Sequence, residues 1–150
     1  MKQTFGPKDE DATRSFAAYS KQGLARNPGE SMYEWRFKCI KDGWNDMIGI
    51  ISCLDDIHII NYPFESKYDS YVWWKGEQVY NRTEQYDDLK GRWRAGDTIK
   101  LILDCDRWIL TFLKNDQLFN TVKLMNKNDE SVFYPIIFAR DGYAKYEHIV

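Results

Sequence analysis

The stretch Met32 to Ile40, MYEWRFKCI, sets Tyr33, Trp35, Phe37 and Cys39 against Glu34, Arg36 and Lys38 in strict alternation. Successive side chains of an extended strand point to opposite faces, so this pattern gives one dry face and one wet face. On a helix the same charges would be scattered around the cylinder. Runs of similar character recur as MIGIIS (Met47 to Ser52), YVWWK (Tyr71 to Lys75), TIKLILD (Thr98 to Asp104), WILTFLK (Trp108 to Lys114), VFYPIIFA (Val132 to Ala139) and YAKYEHIV (Tyr143 to Val150). Shorter candidates are SFAAYS, IHII, QVYNR and LFNTVK, and Gly, Asn and Asp fall between the runs. No window carries a helical stripe of three turns, and EQYDDLKGRW has room for one short turn at most. Roughly eight to twelve short strands, with no helices to cover a parallel sheet, predict an all-β fold of two antiparallel sheets packed as a sandwich.

The chain is long enough for one domain with a substantial core. Residues 1 to 14, MKQTFGPKDEDATR, are polar and charged and read as a flexible arm, leaving residues 15 to 150 for the sandwich. Lys and Arg number 21 against 23 Asp and Glu, and the basic residues are spread along the chain instead of forming a stripe. Neither nucleic acid nor an anionic membrane is expected as a partner. No apolar run approaches the ~20 residues of a bilayer span. The amino terminus lacks the apolar stretch of a secretory signal. Cys39, Cys53 and Cys105 are odd in number and embedded in strand-like runs, which suits reduced, buried thiols of a cytoplasmic protein, and a monomer is expected. Asn81-Arg82-Thr83 matches a glycosylation acceptor and is read as a chance match in that setting.

Candidates for chemistry are few. Asp104 and Asp106 in DCDR would project from one side of an extended chain, as in a divalent-metal pair, but no recognisable calcium loop surrounds them, and turn formation is the favoured reading. His58 and His148 have no partner at zinc spacing. Cys53 lies five residues before His58, yet its apolar surroundings suit a structural thiol better than a nucleophile. No phosphate loop, nucleophile elbow or zinc-binding helix occurs. No catalytic residue, metal or cofactor is therefore expected.

RAGDTIKLILDCDRWILTFLKND (Arg94 to Asp116) is the most informative segment. Ile99, Leu101 and Leu103 share a face that Leu110 and Phe112 continue after the DCDR turn. A Gly-Asp opening a strand, an Asp closing it, and a returning strand with Phe shortly before Asn-Gly resemble the SPRY domain family; here these are Gly96-Asp97, Asp104, Phe112 and Asn115. YEWRFKCI is similar to the early Trp-containing strand of that family, MIGIIS to its strand with a central Gly, YVWWKGEQVYN to its aromatic strand, and Tyr134-Pro135 with IIFA to its closing strand. Asp116 stands where the family usually has Gly, and Trp73 or Trp74 where a Gly commonly lies between aromatics. The resemblance implies a bent, concanavalin-like sandwich that binds a peptide segment or a partner protein through loops at one edge, without catalysis.

Aromatic and charged residues in loop-like context are the candidate contacts. Trp44 lies in KDGWND, Tyr62 in NYPFES and Tyr143 after Arg140-Asp141-Gly142. Trp44, Tyr62 and Tyr143 would give apolar contact, Arg140 would hold a carboxylate or carbonyl, and Asp42, Asn45 and Asp141 would set polar register around Gly43. Lys21, from an early loop, is the outlying candidate. The alternative is a carbohydrate-binding, lectin-like sandwich that stacks sugars on exposed aromatics.

Overall fold

The structure, a computed structural model, describes residues 3–5, 16–18, 29, 31–43, 46–52, 70–74, 78–81, 84–86, 93–128, 131–139 and 144–149. These hold twelve strands: β1 (Gln3–Phe5), β2 (Phe16–Ala18), β3 (Met32–Lys41), β4 (Met47–Ile51), β5 (Ser70–Trp74), β6 (Gln78–Asn81), β7 (Glu84–Tyr86), β8 (Thr98–Asp104), β9 (Ile109–Lys114), β10 (Gln117–Lys123), β11 (Tyr134–Ala139) and β12 (Lys145–His148). There is no helix among the described residues. One sheet runs β1-β12-β3-β8-β9-β10 and the other β2-β11-β4-β5-β6-β7. Every pairing is antiparallel. The all-β sandwich expected from the alternation is the observed architecture.

The dry faces meet as the sequence pattern requires. Trp35, Phe37 and Cys39 of β3, Ile99, Leu101 and Leu103 of β8, and Leu110 and Phe112 of β9 turn inward from one sheet. Ile48 and Ile50 of β4 and Tyr71 and Trp73 of β5 face them from the other. Trp73 is central: its ring lies 5.5 Å from Phe112, 4.5 Å from Phe119 and 4.9 Å from Trp93. β4 departs from alternation because all of its residues are buried, including Met47 and Ile51, which face away from this core. A strand covered on both sides reads as a continuous apolar run, which is what MIGIIS is.

Gly49, opposite Val72 of β5 and Ile136 of β11, sits where the neighbouring backbone leaves no room. A Cβ there would run into the Tyr71 carbonyl and lie 2.6 Å from Val72 Cα.

The DCDR segment is a hairpin turn. Asp104 Oδ1 accepts the backbone N–H groups of Asp106 (3.0 Å) and Arg107 (3.1 Å), and Trp108 adopts a φ of 55° to bring the chain back. Asp104 therefore acts as a turn residue. The next hairpin is tighter: Lys114 pairs with Gln117 across Asn115 and Asp116, whose φ values are 51° and 64°. Positive φ at both central residues is the geometry of a two-residue type I′ turn, and Asp116 fills the position that Gly usually takes. Its carboxylate lies 2.7 Å from Lys100 Nζ, and that hydrogen bond and charge lower its pKa.

Two elements differ from the sequence reading. Gln3–Phe5, inside the stretch read as a flexible arm, pairs with Tyr146 to His148 as an edge strand. Glu84–Tyr86, inside the segment given room for one helical turn, pairs with β6 as another edge. An open sheet edge offers backbone donors and acceptors to whatever chain lies beside it, so pairing there needs no apolar alternation. At a third edge, β10 carries a bulge between Leu118 and Asn120, and Asn120 Oδ1 accepts the N–H of Thr121 at 2.8 Å. The candidate strand Ile57 to Ile60 lies outside the described residues.

Two stability predictions follow from this packing. Gly49→Ala should destabilise the fold by about 3 kcal/mol, the upper end of ordinary overpacking, because backbone and not a flexible side chain must yield; urea unfolding measures it. His148 is buried against Phe37, with ring centroids 5.2 Å apart, and burial lowers its pKa from 6.5. The unfolded chain then takes up a proton that the folded chain refuses, so stability present above about pH 6.5 is lost as the pH falls towards the folded value. His148→Phe should flatten the urea midpoint between pH 7.5 and pH 5.5, whereas wild type should drop.

Candidate interaction loops

Two connections cross between the sheets at the same end of the sandwich. β3 leaves the first sheet at Lys41 and the chain enters the second at Met47; β11 leaves the second at Ala139 and the chain returns to the first at Lys145. Lys41 pairs with Lys145 and Met47 with Phe138, so the two connections start and finish beside one another while running in opposite directions. Their described ends touch. A Cβ on Gly43 would lie 3.4 Å from Ala144 Cβ, an ordinary contact distance, and 2.5 Å from Asp46 Oδ1, so even a methyl group at 43 would push the carboxylate aside.

Beneath them lies a polar cluster in an apolar setting. Asp46 is fully buried. Its Oδ2 accepts the N–H of Gly43 at 2.9 Å and the hydroxyl of Tyr146 at 2.5 Å. The Tyr146 oxygen in turn accepts Trp93 Nε1–H at 2.7 Å. Tyr146 and Trp93 are themselves fully buried. Burial first, and then the Asp46 carboxylate, push the Tyr146 pKa well above the ordinary phenol value, so the hydroxyl keeps the proton it donates. A buried carboxylate is tolerated when such donors replace water.

Asp42 ties the same end to the turn before β8. Its Oδ1 accepts Ala95 N–H at 3.1 Å. Within that turn Asp97 Oδ2 accepts Arg94 N–H at 2.8 Å, and Gly96 has a φ of 96°, a conformation glycine adopts without strain. Gly96 N–H and the Asp97 carbonyl pair with Cys39, which extends the β3–β8 ladder. Asp97 Oδ1 also accepts Asn115 Nδ2–H at 2.9 Å, while Asn115 Oδ1 accepts Thr98 N–H at 2.9 Å. The spacing of Gly96-Asp97 and Asn115 thus has a physical reason: one carboxylate and one amide lock two turns together.

Of the residues expected at the site, Asp42 and Gly43 are described. Asp42 is half-buried and bonded to the backbone at Ala95, and Gly43 is buried against Asp46 and Ala144. Lys21, Trp44, Asn45, Tyr62, Arg140, Asp141 and Tyr143 lie outside the described residues. Trp44 and Asn45 fall in the chain between Gly43 and Asp46, and Arg140, Asp141 and Tyr143 between Ala139 and Ala144, so topology brings the bases of these two segments together. The strand ends that flank Lys21 (Ala18 and Met32) and Tyr62 (Ile51 and Ser70) face the opposite end of the sheets. Sequence reasoning missed Asp46, Trp93 and Tyr146. The inward phase of Tyr146, shared with Ala144 and His148, was available as a signal; its hydroxyl partner, 100 residues away, was not.

Among the described residues, no three or more His, Cys, Asp or Glu side chains gather as metal ligands. Cys53 and His58 lie outside the described residues.

No protein-family model matches the sequence, and no curated protein matches it. Solved structures do match the fold. The SPRY domain of human HERC1 aligns with a TM-score of 0.70 at 17% identity, covering 90% of this chain and 82% of that one. A human SPRY domain aligns at 0.66 and 12% identity over 97% and 96% of the two chains. The TRIM65 PSpry domain aligns at 0.61 and 16% identity over 90% and 70%. The chain has a SPRY-like fold.

The locked turns give a quantitative expectation. Asp97→Ala and Asn115→Ala should each destabilise by about 1–2 kcal/mol, the second through both lost hydrogen bonds and lost tolerance of positive φ. Because the two side chains share one bond, the double variant should lose less than the sum, which a double-mutant cycle by chemical denaturation measures.

Proposed function

We propose that the chain is a non-catalytic protein-interaction module that holds a short peptide segment or a partner protein surface on the paired connections 42–46 and 140–144. The observation that carries this reading is the juxtaposition of the ends of those connections, Gly43 beside Ala144, on a hydrogen-bonded base. Their sequences, DGWND and RDGYA, supply the residue types that anchor interfaces: Trp and Tyr for area and Arg for carboxylates or carbonyls. The SPRY-like fold shared with these neighbours supports an adaptor or substrate-recognition role. The buried thiols of Cys39 and Cys105 support action in the reducing cytoplasm. Trp44, Asn45, Arg140, Asp141 and Tyr143 are the proposed contacts, with Tyr62 and Lys21 reaching the partner only if their segments extend from the opposite end.

Selection from a random peptide library tests the reading. Wild type should enrich peptides with a shared pattern, and Trp44→Ala with Arg140→Ala should weaken binding of the best peptide at least about 30-fold, as for anchor residues worth ~2 kcal/mol. Unchanged affinity in the double variant would move the site to another face. Saturable binding on a glycan array, with no peptide enriched, would replace the proposal with sugar recognition.

A further inference from the structure

We infer that Tyr146 and Asp46 are positioning residues that couple the described ends of the two connections, Gly43 and Asp46 on one and Ala144 on the other, so that opening at one end is felt at the other. The inference rests on the proposed binding reading for its biological use, but its physical content stands on geometry alone. Asp46 closes the first connection, and Tyr146 lies two residues past Ala144, at the end of the second. The hydroxyl of Tyr146 and the N–H of Gly43 converge on the same oxygen, Asp46 Oδ2, at 2.5 and 2.9 Å. One acceptor therefore fixes both the closing turn of the first connection and its attachment to the strand that follows the second. Trp93 Nε1–H holds the Tyr146 oxygen from the far side at 2.7 Å and leaves the phenol proton directed at the carboxylate. The approach of Gly43 to Ala144, close enough that a Cβ on residue 43 would meet Ala144 Cβ at 3.4 Å, completes the junction, because small residues at both positions let the two backbones come together. Bulk solvent does not reach the cluster, since Asp46, Tyr146 and Trp93 are each 0% exposed. In such surroundings a lost donor is not replaced by solvent, so the bond is retained or its neighbours rearrange.

The test reads local opening and needs no partner. Amide exchange is followed by NMR at Gly43, Ala144 and Lys145 in wild type, Tyr146→Phe, Trp93→Phe, Asp46→Asn and Val122→Ala. Tyr146→Phe removes the donor while keeping the ring, and it should accelerate exchange at Gly43 and at Ala144 and Lys145 together, by about tenfold or more, as expected for a hydrogen bond to a charged group. Trp93→Phe should shift the same amides in the same direction, which keeps the test intact if Tyr146→Phe does not fold. Asp46→Asn retains an oxygen able to accept both donors but loses the charge, so it should accelerate the same amides together, by less than Tyr146→Phe. Val122→Ala, a core truncation in β10, controls for global loss of stability and should leave these amides unchanged relative to the rest of the core. Acceleration confined to one connection, absent from both, or equally present in Val122→Ala would overturn the coupling. A coupled response in a protein that selects no peptide would instead overturn the binding reading and leave the coupling in place.

Discussion

The burial of large aromatic side chains between the two sheets is the constraint on which everything else rests. Strands this short have little stability alone; a β-sheet needs a partner surface for its apolar face. Here that surface is built from Trp35, Trp73, Trp93, Tyr71, Phe112 and Phe133, all essentially inaccessible to solvent. Each such ring buries about 150–250 Å² and dominates the energetics of the interior. Trp73 touches rings from β9, β10 and the segment before β8, so one side chain of the second sheet ties down much of the first.

With that core in place, polar groups can be spent on geometry. Asp42, Asp97 and Asn115 align the turns beside β8, and Asp46 with Tyr146 joins the two crossing connections. These bonds lie at one end of the sandwich and depend on strands held in register by the interior. The exposed ion pairs contribute less: Lys100 reaches Asp116 at 2.7 Å and Glu34 at 3.7 Å, and such surface pairs are typically worth under ~1 kcal/mol.

Much of this was readable in the amino-acid order, and the exceptions have physical causes. Strands with one wet face announce themselves by alternation: β3 sets Glu34, Arg36 and Lys38 outward against a buried apolar face, and β8 and β9 keep an unbroken inward apolar phase although Ile102, Ile109 and Leu113 lie on the other. The DCDR turn and the Asn115-Asp116 turn were readable because Asp and Asn carry their own turn chemistry. β1 and β7 were not, since three-residue edge strands are decided by the neighbour that offers an unpaired backbone. At the candidate site, the nearness of Gly43 to Ala144 follows from strand order, which no local pattern encodes. The Asp46–Tyr146 bond was hidden for a related reason: KDGWND reads as a solvated loop until the fold buries its last residue.

The treatment of the β10 edge has a consequence for how this molecule meets others. In the β9–β10 ladder, the bond from Leu124 N–H to the Trp108 carbonyl and the two-residue alternation that precedes it turn Thr121 N–H away from β9, towards the open side. Asn120 occupies that donor, and the bulge beside it bends the strand. An extended chain arriving at this flank meets a kinked rail with one amide already engaged, so sheet-on-sheet growth into a second copy has a poor template. Leu118, 67% exposed on the same strand, would otherwise be a sticky point. Crowding such molecules together therefore gives a second chain little to pair with along β10.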